Sequence, residues 1–203
     1  MNKREAFSVV LFLIGLIMVF LPLTGNRSFI EKPKVLLSEV LDEKTFLTVD
    51  QVARYVVAED SSVQIIDLRT PGEFLAFNIP GSVNIPYDEF LNNDPGTVFS
   101  NEKTKKILYS NGDFDSNYAL VIAMGLKYEN IYVMKGGLNE WFRTVMESRF
   151  TGERITAREN ALFEIRSKAG NLFTELNSLP DSMKLKYMEN KRIAAKKLDG
   201  GCE

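Results

Sequence analysis

Histidine is absent from the 203-residue chain, and the single cysteine, Cys202, stands next to the carboxyl terminus. Without histidine the chain cannot assemble a Ser-His-Asp triad, a Cys-His nucleophile pair, or a His-ligated zinc or haem site from its own residues. One cysteine also excludes an internal disulfide and any zinc or iron-sulfur site made from four thiolates. Positive charge is not in excess either. Twenty-five Lys and Arg face 27 Asp and Glu, a formal charge of -2, so the electrostatic footprint of a nucleic-acid binder is missing. Apolar material, by contrast, is plentiful: 45% hydrophobic and 26% charged residues suffice for a core and argue against disorder. The length suits one domain of ordinary size with appendages.

Residues 6–25, AFSVVLFLIGLIMVFLPLTG, carry no charge and consist mostly of Val, Leu, Ile and Phe. As a helix such a run rises about 30 Å, the thickness of a bilayer core. Lys3 and Arg4 precede it, the charged start of a signal sequence or signal anchor, and favour a cytoplasmic amino terminus. Small residues at a cleavage site are poorly placed, because Leu21-Pro22-Leu23 is bulky, so residues 1–25 are expected to remain as a transmembrane signal anchor. The rest of the chain then lies on the extracytoplasmic (periplasmic) side. Secretion after cleavage is the alternative. A buried core helix fits poorly, since the run has no polar face.

Residues 26–45 mix charges with a few apolar residues and read as a juxtamembrane linker. From Phe46 onward the texture changes. Thr48-Val-Asp-Gln51 has the form of a capping box starting a helix, with Val52, Tyr55 and Val56 on one face. Val63–Asp67 reads as a buried strand, followed by a Thr-Pro-Gly break, a short helix near Glu73–Phe77 and a short strand inside Ile79–Pro86. Lys106–Tyr109 and Ile131–Met134 read as strands with a helix over Ser116–Leu126 between them. Gly136-Gly137 then turns the chain into a helix through Trp141 and Phe142. Strands alternating with helices predict βαβ crossovers, a parallel sheet with helices on both faces, and a ligand site beyond the strands' carboxyl ends, at the turn after Tyr109.

Three segments in order carry a resemblance. Asp67-Leu-Arg-Thr-Pro-Gly-Glu-Phe74 is similar to an Asp-x-Arg...Glu-Phe/Tyr signature, Ile79-Pro-Gly-Ser-Val-Asn-Ile-Pro86 to Ile-Pro-Gly-Ala-x-Asn-Ile-Pro, and Met134-Lys-Gly-Gly-Leu-Asn-Glu-Trp141 to a closing Gly-Gly...Trp element. With these, residues 46–148 resemble a rhodanese-like (sulfurtransferase-fold) domain. Most of the matching residues also have scaffold readings. Gly81 and Gly136 suit turns with unusual backbone angles, Pro80 and Pro86 punctuate a strand, Asp67 and Arg69 pair or cap loops, and Trp141 belongs to the core.

The resemblance implies a cysteine after the strand ending at Tyr109, four residues, then Arg, with a persulfide formed on the thiolate and its charge held by loop N–H groups and a helix amino terminus. The chain instead has Ser110-Asn111-Gly112-Asp113-Phe114-Asp115. Ser110 occupies the nucleophile position with no histidine to activate it. Asp115 falls where the family often has Arg, Asp113 adds a second carboxylate, and Asn78 stands where His is common. Between residues 46 and 144 there are eight Lys and Arg against 13 Asp and Glu. The loop is therefore expected to be degenerate, repelling thiosulfate or phosphate, with no catalytic residue, cofactor or metal. A cation site at Asp113 and Asp115 lacks the six or so oxygens that hard cations take. Capping of the following helix by Asp115 or Ser116 is the preferred account of those side chains.

Residues 149–203 read as a helical hairpin with a flexible Gly-Gly-Cys tail. Thr156-Ala-Arg-Glu159 opens an amphipathic helix with Leu162, Ile165, Ala169, Leu172, Leu176 and Leu179 at steps of three and four, and Pro180-Asp-Ser182 ends it. The second helix, about Met183–Leu198, is basic, with Lys184, Lys186, Lys191, Arg192, Lys196 and Lys197. The hairpin is expected to pack on the acidic domain; self-association, a partner protein or an anionic membrane surface are the other options. Cys202 is free either to carry sulfane sulfur or to do nothing, and Asp199 and Glu203 beside it do not favour a reactive thiolate. Together these readings give a membrane-anchored rhodanese-like binding or scaffold module with a protein partner or a place in a sulfur relay. A sulfurtransferase or sulfur carrier using Cys202 is the alternative, and a spacer presenting the carboxyl-terminal hairpin a third reading.

Overall fold

A computed structural model describes residues 32–40, 42–92, 99, 101–149 and 156–199, with Arg4, Phe7, Phe12 and Leu13 besides. The anticipated anchor at 6–25 therefore lies almost wholly outside the described residues, as does Cys202. Among the described residues no helix is long and apolar enough to cross a membrane.

Five parallel strands form the sheet: β1 (Phe46–Leu47), β2 (Val63–Asp67), β3 (Val83–Asn84), β4 (Lys105–Tyr109) and β5 (Ile131–Met134), in the order β1-β5-β4-β2-β3. The helices are α1 (Pro33–Val40), α2 (Val49–Ala58), α3 (Pro71–Ala76), α4 (Tyr87–Asn92), α5 (Phe114–Gly125), α6 (Gly137–Trp141), α7 (Ala157–Asn177) and α8 (Asp181–Asp199), with α6 running on into a π-helical turn at Phe142–Met146. Parallel strands need crossovers, and β2, β4 and β5 are accordingly joined through α3, α4 and α5. Within the 26–45 stretch expected as a linker, α1 forms and buries Leu36.

The strands' period of two sorts their side chains between two cores. Ile65, Ile107, Tyr109 and Met134 face one way and pack with Val52, Ala53 and Val56 of α2, Leu138 and Trp141 of α6, and Ala169 and Phe173 of α7. Ile66, Leu108, Ile131 and Val133 face the other way and pack with Phe90 of α4, Phe99, and Ala119, Leu120 and Ala123 of α5. Trp141 is fully buried, as the sequence implies.

Helix starts follow local chemistry. Thr48 with Gln51 and Thr156 with Glu159 form the expected capping boxes, and Thr70 with Glu73 forms a third that opens α3 with Pro71 at its first position. The carboxyl-terminal hairpin is part of the folded body. Arg166 of α7 makes two hydrogen bonds to the Asp50 carboxylate of α2, at 2.6 and 2.7 Å. Phe173 packs edge-on against Phe142 with ring centroids 5.4 Å apart and lies 6.2 Å from Trp141. Lys184 of α8, 4% exposed, donates to the carbonyls of Leu75 and Ala76 at the end of α3, where a cation also complements the helix dipole. If α7 completes the core, Phe173→Ala will lower the unfolding free energy by about 3–5 kcal/mol in a denaturant titration; a change within about 0.5 kcal/mol, the ordinary surface value, would make the hairpin peripheral.

Candidate functional site

The candidate site lies at the carboxyl ends of β2, β3 and β4, the edge where open parallel sheets bind ligands. Its floor is built by Asp67 and Arg69, a buried pair. The Arg69 guanidinium donates to both carboxylate oxygens, with Nη2 to Oδ2 at 2.6 Å and Nε to Oδ1 at 3.0 Å. Nη2 also donates to the Phe77 carbonyl at 2.7 Å, while the guanidinium carbon lies 5.3 Å from the Phe77 ring centre and 5.9 Å from that of Tyr109. Nη1 is buried without a hydrogen-bond partner among the described residues. Burial pulls the Arg69 pKa down, but the Asp67 hydrogen bonds and charge outweigh it and leave the value raised. Complete burial, followed by the Asp67 charge, pushes the Tyr109 phenol well above its ordinary range. Its oxygen accepts from the Ile79 N–H at 3.2 Å and lies 3.3 Å from the Ser82 hydroxyl.

Asn78 is buried, and its amide donates to the Phe74 carbonyl at 2.9 Å. Asn177, the last residue of α7, clasps the Asn78 backbone from both sides: its Oδ1 accepts from the Asn78 N–H at 3.0 Å and its Nδ2 donates to the Asn78 carbonyl at 2.9 Å. The position where the resemblance implies histidine is thus an anchor point for the carboxyl-terminal extension. Nothing in the spacing of Asn78 and Asn177, 99 residues apart, announces this.

The loop Ser110–Asp115 folds with its carbonyls turned inward. The Ser110 carbonyl accepts from the Leu138 N–H at 2.9 Å and the Asn111 carbonyl from the Asn139 N–H at 3.0 Å, both at the start of α6. The Gly112 carbonyl receives the Ser110 hydroxyl at 3.0 Å and the Ser116 hydroxyl at 3.3 Å. Ser110 is 2% exposed, so its oxygen serves as an internal donor tying the loop to itself. Asp113 Oδ1 accepts from the Gly136 N–H at 2.5 Å and latches the loop to the β5–α6 turn. Asn111 donates to Glu73 at 2.8 Å, and hydrogen bonds from Thr70 and then Asn111 hold the Glu73 carboxyl below its ordinary value.

The expected cap of the following helix does not form. Asp113 is the residue before α5 and makes no side-chain cap, because its carboxylate is engaged by Gly136. Asp115 lies in the first turn of α5, while the buried Ser116 hydroxyl points backward to the carbonyls of Gly112 and Asp113. Asp115 nevertheless sits where the helix dipole is positive and offsets the potential that would draw an anion there. Among the described residues, no cluster of three or more acidic, Cys or His side chains could hold a metal ion. Phe114, carried as part of the loop, is 72% exposed and pairs with Tyr118; their i,i+4 spacing was the available signal for that pair.

Residues 48–144 match the Rhodanese family profile, the rhodanese-like domain. That segment is similar to a rhodanese-like domain. Solved structures similar to it include a Rhodopseudomonas palustris protein of unknown function, a possible tyrosine phosphatase, at 24% identity over 61% of this chain and 95% of that one, with a TM-score of 0.46. A single-domain sulfurtransferase of Saccharomyces cerevisiae shares 23% identity over 49% of this chain and 89% of its own, with a TM-score of 0.42. A rhodanese-related protein of Thermoplasma volcanium shares 18% over 48% and 89%, with a TM-score of 0.40. None of the curated proteins matches the chain.

The loop depends on one glycine. Gly137 has φ +55°, and a Cβ there would lie 2.5 Å from the Ser110 carbonyl oxygen and 2.7 Å from that of Gly112. Both are backbone atoms that cannot step aside. Gly137→Ala is expected to destabilise the fold by at least about 3 kcal/mol, whereas Gly112→Ala, whose Cβ meets nothing within 4 Å, should stay within about 1 kcal/mol. Denaturant titration of both variants checks the contrast, and equal effects would remove Gly137 from its role as the contact between loop and turn.

Proposed function

We propose that the chain is a membrane-anchored, extracytoplasmic rhodanese-like module that binds or scaffolds a partner and carries out no sulfur transfer at its own loop. The observation that carries this reading is Ser110. It stands at the nucleophile position, it is buried, and its hydroxyl is spent on the Gly112 carbonyl. A persulfide needs a sulfur atom at that point, and a serine needs a base that a chain without histidine does not offer from that residue type. Asp113 and Asp115 oppose anionic sulfur donors at the same mouth.

The test is intact-mass analysis of the full-length chain, purified in detergent without reductant and incubated with thiosulfate, beside its Cys202→Ala variant. Neither protein is expected to gain sulfur. A gain that disappears in the variant would make Cys202 a sulfur carrier, and cyanide-dependent sulfur transfer by Cys202→Ala would overturn the reading outright.

The membrane arrangement rests on the uncharged run 6–25 behind Lys3 and Arg4. Because Cys202 is the sole thiol, it reports the side on which the carboxyl terminus lies. A membrane-impermeant maleimide added to spheroplasts is expected to label the wild-type chain and not Cys202→Ala. Labelling only after lysis would place the domain in the cytoplasm.

A further inference from the structure

We propose that Phe114 and Tyr118, with the carboxylates around them, form a docking face for an arginine-rich or lysine-rich peptide segment of a partner protein. The inference rests on the reading of the chain as a binding module and names the chemistry of what it binds. Helix α5 directs Ala119, Leu120 and Ala123 into the core, yet its first two turns present Phe114, 72% exposed, and Tyr118, 50% exposed, to solvent. The two rings are 4.7 Å apart between centroids and inclined at 55°, a tilted aromatic pair that belongs to neither core cluster. Aromatic faces attract cations, and guanidinium groups stack on them especially well.

Charge selects the same occupant. Asp115 follows Phe114 directly and opens α5, and Asp88 lies in the first turn of α4. These groups share one neighbourhood: after partial burial, Asp115, Tyr118 and Asp88 in turn raise the Tyr87 phenol. Glu73 and Asp113 extend the acidic side across the loop through Asn111 and Gly136. An anion would meet repulsion along this whole edge, whereas a basic segment gains both ring stacking and charge pairing.

The experiment is a fluorescence-anisotropy titration of the full-length chain with a labelled oligo-arginine peptide at low salt, with oligo-glutamate as the control. The wild type is expected to bind oligo-arginine and not oligo-glutamate, with affinity falling as salt rises. The double variant Phe114→Ala/Tyr118→Ala should weaken binding about tenfold and Asp115→Asn about threefold, while Met183→Ala, an exposed apolar residue on α8, should leave it unchanged. Absence of oligo-arginine binding, or binding indifferent to Phe114, Tyr118 and Asp115, overturns the proposal. Self-association that the double variant abolishes, without peptide binding, would assign the face to a second copy and overturns it too. Sulfur transfer measured on Cys202→Ala from the same preparation keeps the two readings apart: cyanide-dependent transfer by that variant defeats the binding-module reading, whereas its absence together with absent peptide binding defeats this inference alone.

Discussion

The buried pair of Asp67 and Arg69 is the constraint on which the candidate site depends. It closes the end of β2, and the surrounding groups take their positions from it. The Arg69 guanidinium fixes the Phe77 carbonyl after α3, and Asn84 of β3 donates to the carbonyls of both Asp67 and Arg69. The Tyr109 ring lies beneath the guanidinium, and its hydroxyl oxygen accepts from the Ile79 N–H and meets the Ser82 hydroxyl. A charge so placed is costly to strand, because removing one partner of a buried pair typically costs about 3–5 kcal/mol. Loss of either partner would leave the other charge uncompensated in the core. Three segments far apart in the chain meet at one ion pair, and the loop that follows Tyr109 starts from a rigid base.

From that base the loop is shaped by acceptors. Carbonyls of Ser110, Asn111 and Gly112 point toward α6 and toward the serine hydroxyls, and they are satisfied there. The chemical departure at Ser110 and the electrostatic departure at Asp113 and Asp115 fall in this same loop. They reinforce one another in a single segment.

Much of this was legible beforehand, and the rest was not, for physical reasons. The strands at 63–67, 106–109 and 131–134 announce themselves by apolar runs between turn residues, and the boxes at Thr48 and Thr156 by spacing alone. The three signature segments locate the domain because they are contiguous. The two-residue strand β1 carries no pattern of its own and exists only through pairing with β5, whereas β3 falls inside the short strand read at Ile79–Pro86. Helix α1 is eight residues long and fell in a stretch without a sustained period. In the site, the identity of Ser110 and its acidic neighbours was plain, but the partner of each side chain was not. Capping by Asp115 or Ser116 failed because α5 already begins at Phe114, which places both inside its first turn, where the Ser116 hydroxyl donates to the carbonyls of Gly112 and Asp113. The docking of Asn177 on Asn78 and of Lys184 on α3 depends on tertiary geometry alone.

That docking also sets an order of events during synthesis. The core around Ile107 of the sheet and Trp141 of α6 is completed by Ala169 and Phe173, so part of it stays open until the last fifth of the chain has been made. Chains emerge at about 5–20 residues per second, which leaves a nascent intermediate with an apolar face exposed for some seconds. The carboxyl-terminal helices act as the closing piece of the fold, and a truncation before them leaves that part of the core uncovered.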